Sequence, residues 1–247
     1  MLRGKSTMPD EDNEIAAYRS VQNIARETID LLRSFVHAGQ TEKEIAALCE
    51  KIQREKGAQG FWYHGLPATV LVGNRSILSM SGREYSPSDE QVNPEDIVTV
   101  DLSPEVDGYW GDYARTLIIH GGRVVENSSS AGSARIQEFW DGVQFEKILH
   151  QFFQQAIHPD LTFEQVYRVM NEYIVRHGYV NLDFRKNLGH TIEKNINDRI
   201  YFEEGNSKRL GEAVFFTFEP HVRADSSRYG YKKEDIYYFS EGAAQVL

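Results

Sequence analysis

A chain of 247 residues with 40% apolar residues is long enough to bury a sizeable core, and α/β or α+β folds of this length commonly form one domain. Its 37 acidic against 27 basic residues give a formal net charge of -10, which opposes phosphate backbones and anionic lipid, so neither nucleic acid nor a membrane is an expected partner. No stretch approaches the roughly 20 apolar residues that cross a bilayer and the first residues carry no signal-peptide core, so a cytoplasmic location is expected.

Residues 1–13 are read as disordered and residues 14–247 as a single domain. Ile15, Tyr18, Val21, Ile24, Ala25, Ile29, Leu32 and Phe35 recur at spacings of three and four, which predicts a helix over 14–38 that stops at Gly39. Thr41 and Glu44 form a capping box ahead of a second helix running to about Lys56, before Gly57. The lone Cys49 lies in that helix and reads as a buried small hydrophobe rather than a nucleophile. Strands are predicted over 70–72, 76–79, 97–102 and 109–119. A long helical segment follows from Ile136 to Phe153, and Thr162 with Gln165 caps a further helix that ends at Gly178. Residues 189–192 start a strand, and strands over 213–219 and 235–239 close the chain. Helix, helix, strands therefore occurs twice, an architectural echo that suggests two related halves in one α+β unit.

Carboxylates interrupt these strands. SPEVDGYW, after Leu102, is rich in turn formers; a hairpin centred between Val106 and Asp107 sets Asp101 opposite Asp112. A second hairpin centred between Ser226 and Ser227 sets Glu219 opposite Glu234. Ionised carboxylates facing each other across a strand pair repel unless a cation lies between them. Divalent Mn, Co, Fe or Zn suits such oxygen-rich sites when an imidazole joins them, and NLGHTI offers His190. Lys232, Lys233 and Arg228 read as a solvated hairpin tip.

The segments IVTVDLSPEVDGYWGDYARTL, NLGHTI, FFTFEPHV and KEDIYYF, with HAGQTEKEI and WYHGLP nearer the start, resemble the creatinase-like metallopeptidases that include methionine aminopeptidase, Xaa-Pro aminopeptidase and prolidase. The resemblance implies a pita-bread fold, two pseudo-symmetric helix-helix-strand halves around a curved antiparallel sheet. It places Asp101, Asp112, His190, Glu219 and Glu234 at the family's metal positions, with two divalent ions as cofactors. It also implies that the ions acidify a water and polarise a peptide carbonyl, with Glu219 as acid and base and His190 beside it.

Two family histidines are missing. Met80 or Ser81 stands at the first, in SILSMSG, and Asn197 at the second, downstream of His190; GHGIG becomes Gly189-His190-Thr191-Ile192-Glu193. Tyr63 and His64 match positions near the specificity pocket, and His221 is a candidate to line the cleft and replace a lost donor. The expectation is a dinuclear hydrolase of aminopeptidase or dipeptidase type, cleaving an N-terminal residue or dipeptide bond. The alternatives are a metal-dependent enzyme on a small non-peptide amide or C–N bond, and a noncatalytic binding homologue. The partner is a peptide or small amide, and a homodimer is left open.

Overall fold

The computed structural model describes residues 9–126 and 133–247. Residues 1–8 of the segment expected to be disordered lie outside that description, and from Pro9 onward the chain is helical. The first half comprises helices α1 (Pro9–Phe35) and α2 (Glu42–Glu55) with strands β1 (Gly60–Phe61), β2 (Ala68–Val72), β3 (Asp96–Leu102), β4 (Pro104–Val106), β5 (Tyr109–Trp110), β6 (Tyr113–His120) and β7 (Arg123–Val125). The second comprises α3 (Ala134–Ala156), α4 (Phe163–Arg176), β8 (Tyr179–Asn181), β9 (Phe216–Phe218), β10 (His221–Ala224), β11 (Tyr231–Lys232), β12 (Asp235–Ser240) and β13 (Ala243–Val246).

Both capping boxes form. The Thr41 and Thr162 side chains accept from the backbones of Glu44 and Gln165, whose side chains return the bond to the cap N–H groups. α1 and α2 lay Ile29, Leu32 and Ile45, all fully buried, against Val70, Val98 and Val100 of the sheet β2-β3-β6-β7, with Cys49 in the same core. Full burial of each such side chain contributes roughly 1.5–3 kcal/mol. A second core joins α3 and α4 through Phe153, Phe163 and Met170 to Phe216, Phe218 and Tyr237. Among the described residues every strand pair is antiparallel, and the strands group into one four-stranded and three three-stranded sheets.

The strand expected over 76–79 is instead a 3-10 turn, Gly73–Ile77. Gly73 turns the chain at φ +55°, and the buried Ser76 spends its polar groups on the other half. Its carbonyl accepts from His221 Nε2 at 2.6 Å and its Oγ from the Gly230 N–H at 2.9 Å. Residues 189–192 likewise form no strand of their own. Isolated bridges pair His190 with Tyr201 and Thr191 with Phe216.

The hairpin registers decide which carboxylates meet. In the second, Val222 pairs with Tyr231, His221 with Lys232 and Phe218 with Asp235, the register that opposes Glu219 to Glu234. In the first, Asp107 and Gly108 take φ +52° and +79°, the positive pair of a two-residue turn, and Val106 pairs with Tyr109. Asp101 consequently pairs with Ala114, not Asp112. The displacement is even, so Asp112 stays on the same face, as a diagonal neighbour of Asp101.

Candidate metal centre

Separate elements hold the five predicted residues. Asp101 projects from β3. Asp112 follows β5, where buried Gln22 of α1 takes its backbone from both sides, donating to its carbonyl at 2.7 Å and accepting from its N–H at 2.8 Å. His190 is fixed beside β9: its N–H donates to Thr217 Oγ1 at 3.1 Å and its carbonyl accepts from Thr217 N–H at 2.7 Å. Gly189, at φ +142°, permits this contact, since a Cβ there would stand 2.4 Å from the Thr217 carbonyl oxygen. Glu219 donates its backbone N–H to Leu188 in the second half, whereas Glu234 donates its own to Ala114 on β6 of the first. The seam between the halves thus runs through the cluster.

His190 Nδ1 lies 2.9 Å from the Thr191 carbonyl, which can only accept, so Nδ1 carries the proton and Nε2 presents a lone pair. Nε2 stands 3.5 Å from Asp112 Oδ2 and 3.7 Å from Glu219 Oε1. One ligand atom each from Asp112, His190 and Glu234 falls within 4.8 Å of the others. Among the described residues, Asp112 Oδ2 and both carboxylate oxygens of Glu234 are buried without a hydrogen-bond partner. A set of hard oxygens and one neutral imidazole, converging and unsatisfied, fits a divalent ion.

Lys232 departs from the reading as a solvated tip. Its side chain is 16% exposed, and Nζ lies 2.6 Å from Asp101 Oδ2, 2.9 Å from Glu219 Oε2 and 3.8 Å from Glu234 Oε2. Its sequence signal is position: two residues before Glu234 on an extended strand, it shares that residue's face. Lys233, on the opposite face, pairs with Asp235, and Arg228 is exposed as expected.

Burial, then the neighbouring charges of Asp101 and Glu219, push the Asp112 carboxyl well above its ordinary range. Glu234 is raised likewise, by burial and then by Asp112 and Glu219. Asp101 is raised by burial even though Lys232 opposes the shift. Burial also acts to raise Glu219, but Lys232 and His190 outweigh it and hold the carboxyl below its usual value. Desolvation disfavours the Lys232 ammonium, yet Asp101, Glu219 and Glu234 raise it well above the ordinary lysine value. Burial lowers both His190 and His221 to about 4.

A cavity of about 200 Å³ opens onto the cluster. Tyr63, His64, Met80 and His221 line it, as do Asp101, Asp112, His190 and Glu219. Asn197 does not: it is exposed on a 3-10 turn, Ile196–Asp198. Arg199 faces the cavity instead, its guanidinium 5.2 Å from the Trp62 ring centre and 5.3 Å from that of Tyr201. No periodicity in the sequence marks Arg199, because the segment that carries it is irregular. His221 does not supply the lost donor; its Nε2–H is spent on the Ser76 carbonyl and its Nδ1 can only accept. Beneath the cluster, Trp62 and Trp110 stack at 4.6 Å, and Trp62 meets the His190 ring edgewise at 5.6 Å.

A methionine aminopeptidase of Haemophilus influenzae is 22% identical over 86% of this chain and 76% of its own length. A Xaa-Pro dipeptidase of Lactobacillus helveticus is 26% identical over 76% of this chain and 45% of its own. Among solved structures, the X-Pro aminopeptidase of Thermotoga maritima superposes with a TM-score of 0.77 at 23% identity, covering 95% of this chain and 60% of that one. The methionine aminopeptidase of Rickettsia prowazekii gives 0.71 at 18% identity, covering 95% and 96%. The chain therefore spans about three-fifths of the Thermotoga protein and nearly all of the Rickettsia one. These likenesses establish the α+β, pita-bread fold. The model of Metallopeptidase family M24 matches residues 16–241, and the chain belongs to that family.

Proposed function

We propose that this protein is a divalent-metal hydrolase of aminopeptidase type that releases an N-terminal residue or splits a dipeptide. The observation that carries the reading is the set of buried, unpartnered oxygens of Asp112 and Glu234 with the His190 Nε2 lone pair turned toward them, in a chain of a metallopeptidase family. Mn, Co, Fe or Zn would fit that donor set, and a bound divalent ion supplies Lewis acidity toward a water and a carbonyl oxygen. Glu219 holds the transferred proton at Oε1, because Lys232 binds Oε2. The wall of Tyr63, His64 and Met80 orients an amino-acid-sized group in the cavity. Ion-binding residues come from both halves, so residues 14–247 act as one unit. On this reading the substrates are peptides, and the cytoplasm is the proposed location.

A second reading, turnover of a small non-peptide amide, draws on two observations: Met80 lines the cavity at an expected histidine position, and Asn197 stands outside it. Incubating Mn- or Co-loaded protein with a library of dipeptides and short peptides, with products resolved by mass spectrometry, separates the two. Release of N-terminal residues, lost by more than about a hundredfold in Glu219→Gln, supports the first reading. Silence on every peptide with turnover of small amides selects the second.

A further inference from the structure

We propose that the Lys232 ammonium takes the place of a second divalent ion, so that each chain binds one ion, at Asp112, His190 and Glu234. This rests on the metal-hydrolase reading above and puts one ion where the family resemblance implies two.

The backbone fixes the lysine independently of its side chain. β11 pairs Lys232 with His221, and Thr116 Oγ1 accepts from the Lys232 N–H at 2.9 Å while lying 3.3 Å from its carbonyl. With strand side chains alternating, whatever stands at position 232 faces the same way as Glu234. A four-carbon stem ending in a compact point charge then reaches Asp101 and Glu219, at 2.6 and 2.9 Å.

The four carboxylates divide accordingly. Asp101 and Glu219 each give one oxygen to the ammonium. Among the described residues, Asp112 Oδ2 and both oxygens of Glu234 are left without a hydrogen-bond partner, and one ligand atom of each of these residues lies within 4.8 Å of one of His190. A second ion drawing on Asp101 would need carboxylate oxygens at about 2.0–2.2 Å. It would then crowd and repel a cation already bound to Asp101 Oδ2. Glu234 Oε2, 3.8 Å from Nζ, lies beyond hydrogen-bond reach of the ammonium and stays with the ion-binding set.

The test is stoichiometry. Wild-type protein, Lys232→Met and Lys232→Arg are saturated with Mn, freed of unbound metal, and measured by elemental analysis and electron paramagnetic resonance. One ion per chain with an isolated-ion spectrum is expected for wild type and Lys232→Arg, and two ions with a spin-coupled spectrum for Lys232→Met. Two ions in the wild type overturn the inference and leave the hydrolase reading standing. One ion in Lys232→Met, folded by circular dichroism, also overturns it. No ion in the wild type overturns the hydrolase reading itself. The wild-type measurement decides the matter even if Lys232→Met fails to fold.

Discussion

Gln22, on the first helix, holds Asp112 by both its backbone groups, at 2.7 and 2.8 Å, across 90 positions of sequence. Gln22 is fully buried, so replacing it with Leu strands a donor and an acceptor away from water. Each stranded group costs about 1–3 kcal/mol. Gln22→Leu is expected to lose a few kcal/mol in denaturant unfolding and to weaken Mn affinity about 10- to 100-fold by calorimetry, as an outer-shell support does. Unchanged affinity would show that the helix does not position Asp112.

Gly189→Ala drives a Cβ against the Thr217 carbonyl at a backbone angle that L side chains rarely adopt. Strain of this kind costs about 1–3 kcal/mol before the clash is counted. Lower unfolding stability and a weakened ion site should appear together, since His190 is the next residue. Thr217→Val, which keeps the backbone pairing but strands the buried His190 N–H, should cost about 1–3 kcal/mol.

Two buried groups outside the cluster give opposite pH trends. His150 donates Nε2–H to the Lys233 carbonyl and accepts at Nδ1 from the Tyr237 hydroxyl, each at 2.9 Å. Burial, then Lys233, holds it well below the ordinary histidine value. As pH falls through about 6.5, unfolded chains take a proton that the folded protein refuses, so stability is lost on acidification. His190 and His221 in the ion-free protein add the same sign down to about 4. His150→Gln should therefore flatten the stability profile between pH 6.5 and 5.

Glu146 works the other way. Both its carboxylate oxygens are buried without partners, and burial raises it well above its ordinary value although Lys233, Lys232 and Arg115 oppose the shift. Stability contributed by its protonated form is present below the unfolded value and lost as pH rises toward the folded one. Glu146→Gln should be more stable than wild type at alkaline pH and nearly equal to it below about pH 4, near the ordinary Glu value, by denaturant titration at both.

Removing the ion should lower Tm. Restoring Mn at a hundred times its Kd returns about 2.7 kcal/mol of unfolding free energy, and scanning calorimetry with and without chelator reads the difference. Asp112→Ala should abolish that restoration.

Much of this was legible in the residues. Both capping boxes and the Glu219 to Glu234 register were, because each depends on local spacing that the folded chain leaves undisturbed. The Asp101 pairing was misread by two positions, since Asp107-Gly108 rather than Val106-Asp107 takes the turn, yet the even shift preserved the face. Ser76 to Ser79 carries a strand-like apolar pair, and contacts with Gly230 and His221, 154 and 145 residues away, override it. Lys232 was legible by parity with Glu234 but masked by its polar neighbours. Arg199 was not, because stacking on Trp62 and Tyr201 follows from long-range packing alone.

The seam has a thermodynamic consequence. Asp112 hangs from the first core, His190 from the second, and Glu234 is tied by its N–H to Ala114 on β6. On the proposed reading, a cation held by all three would act as a cross-link between two apolar cores and favour concerted over stepwise melting. Its escape rate would then be coupled to how often one half swings away from the other, and a substitution deep in either core should be felt in ion exchange without touching a single donor atom.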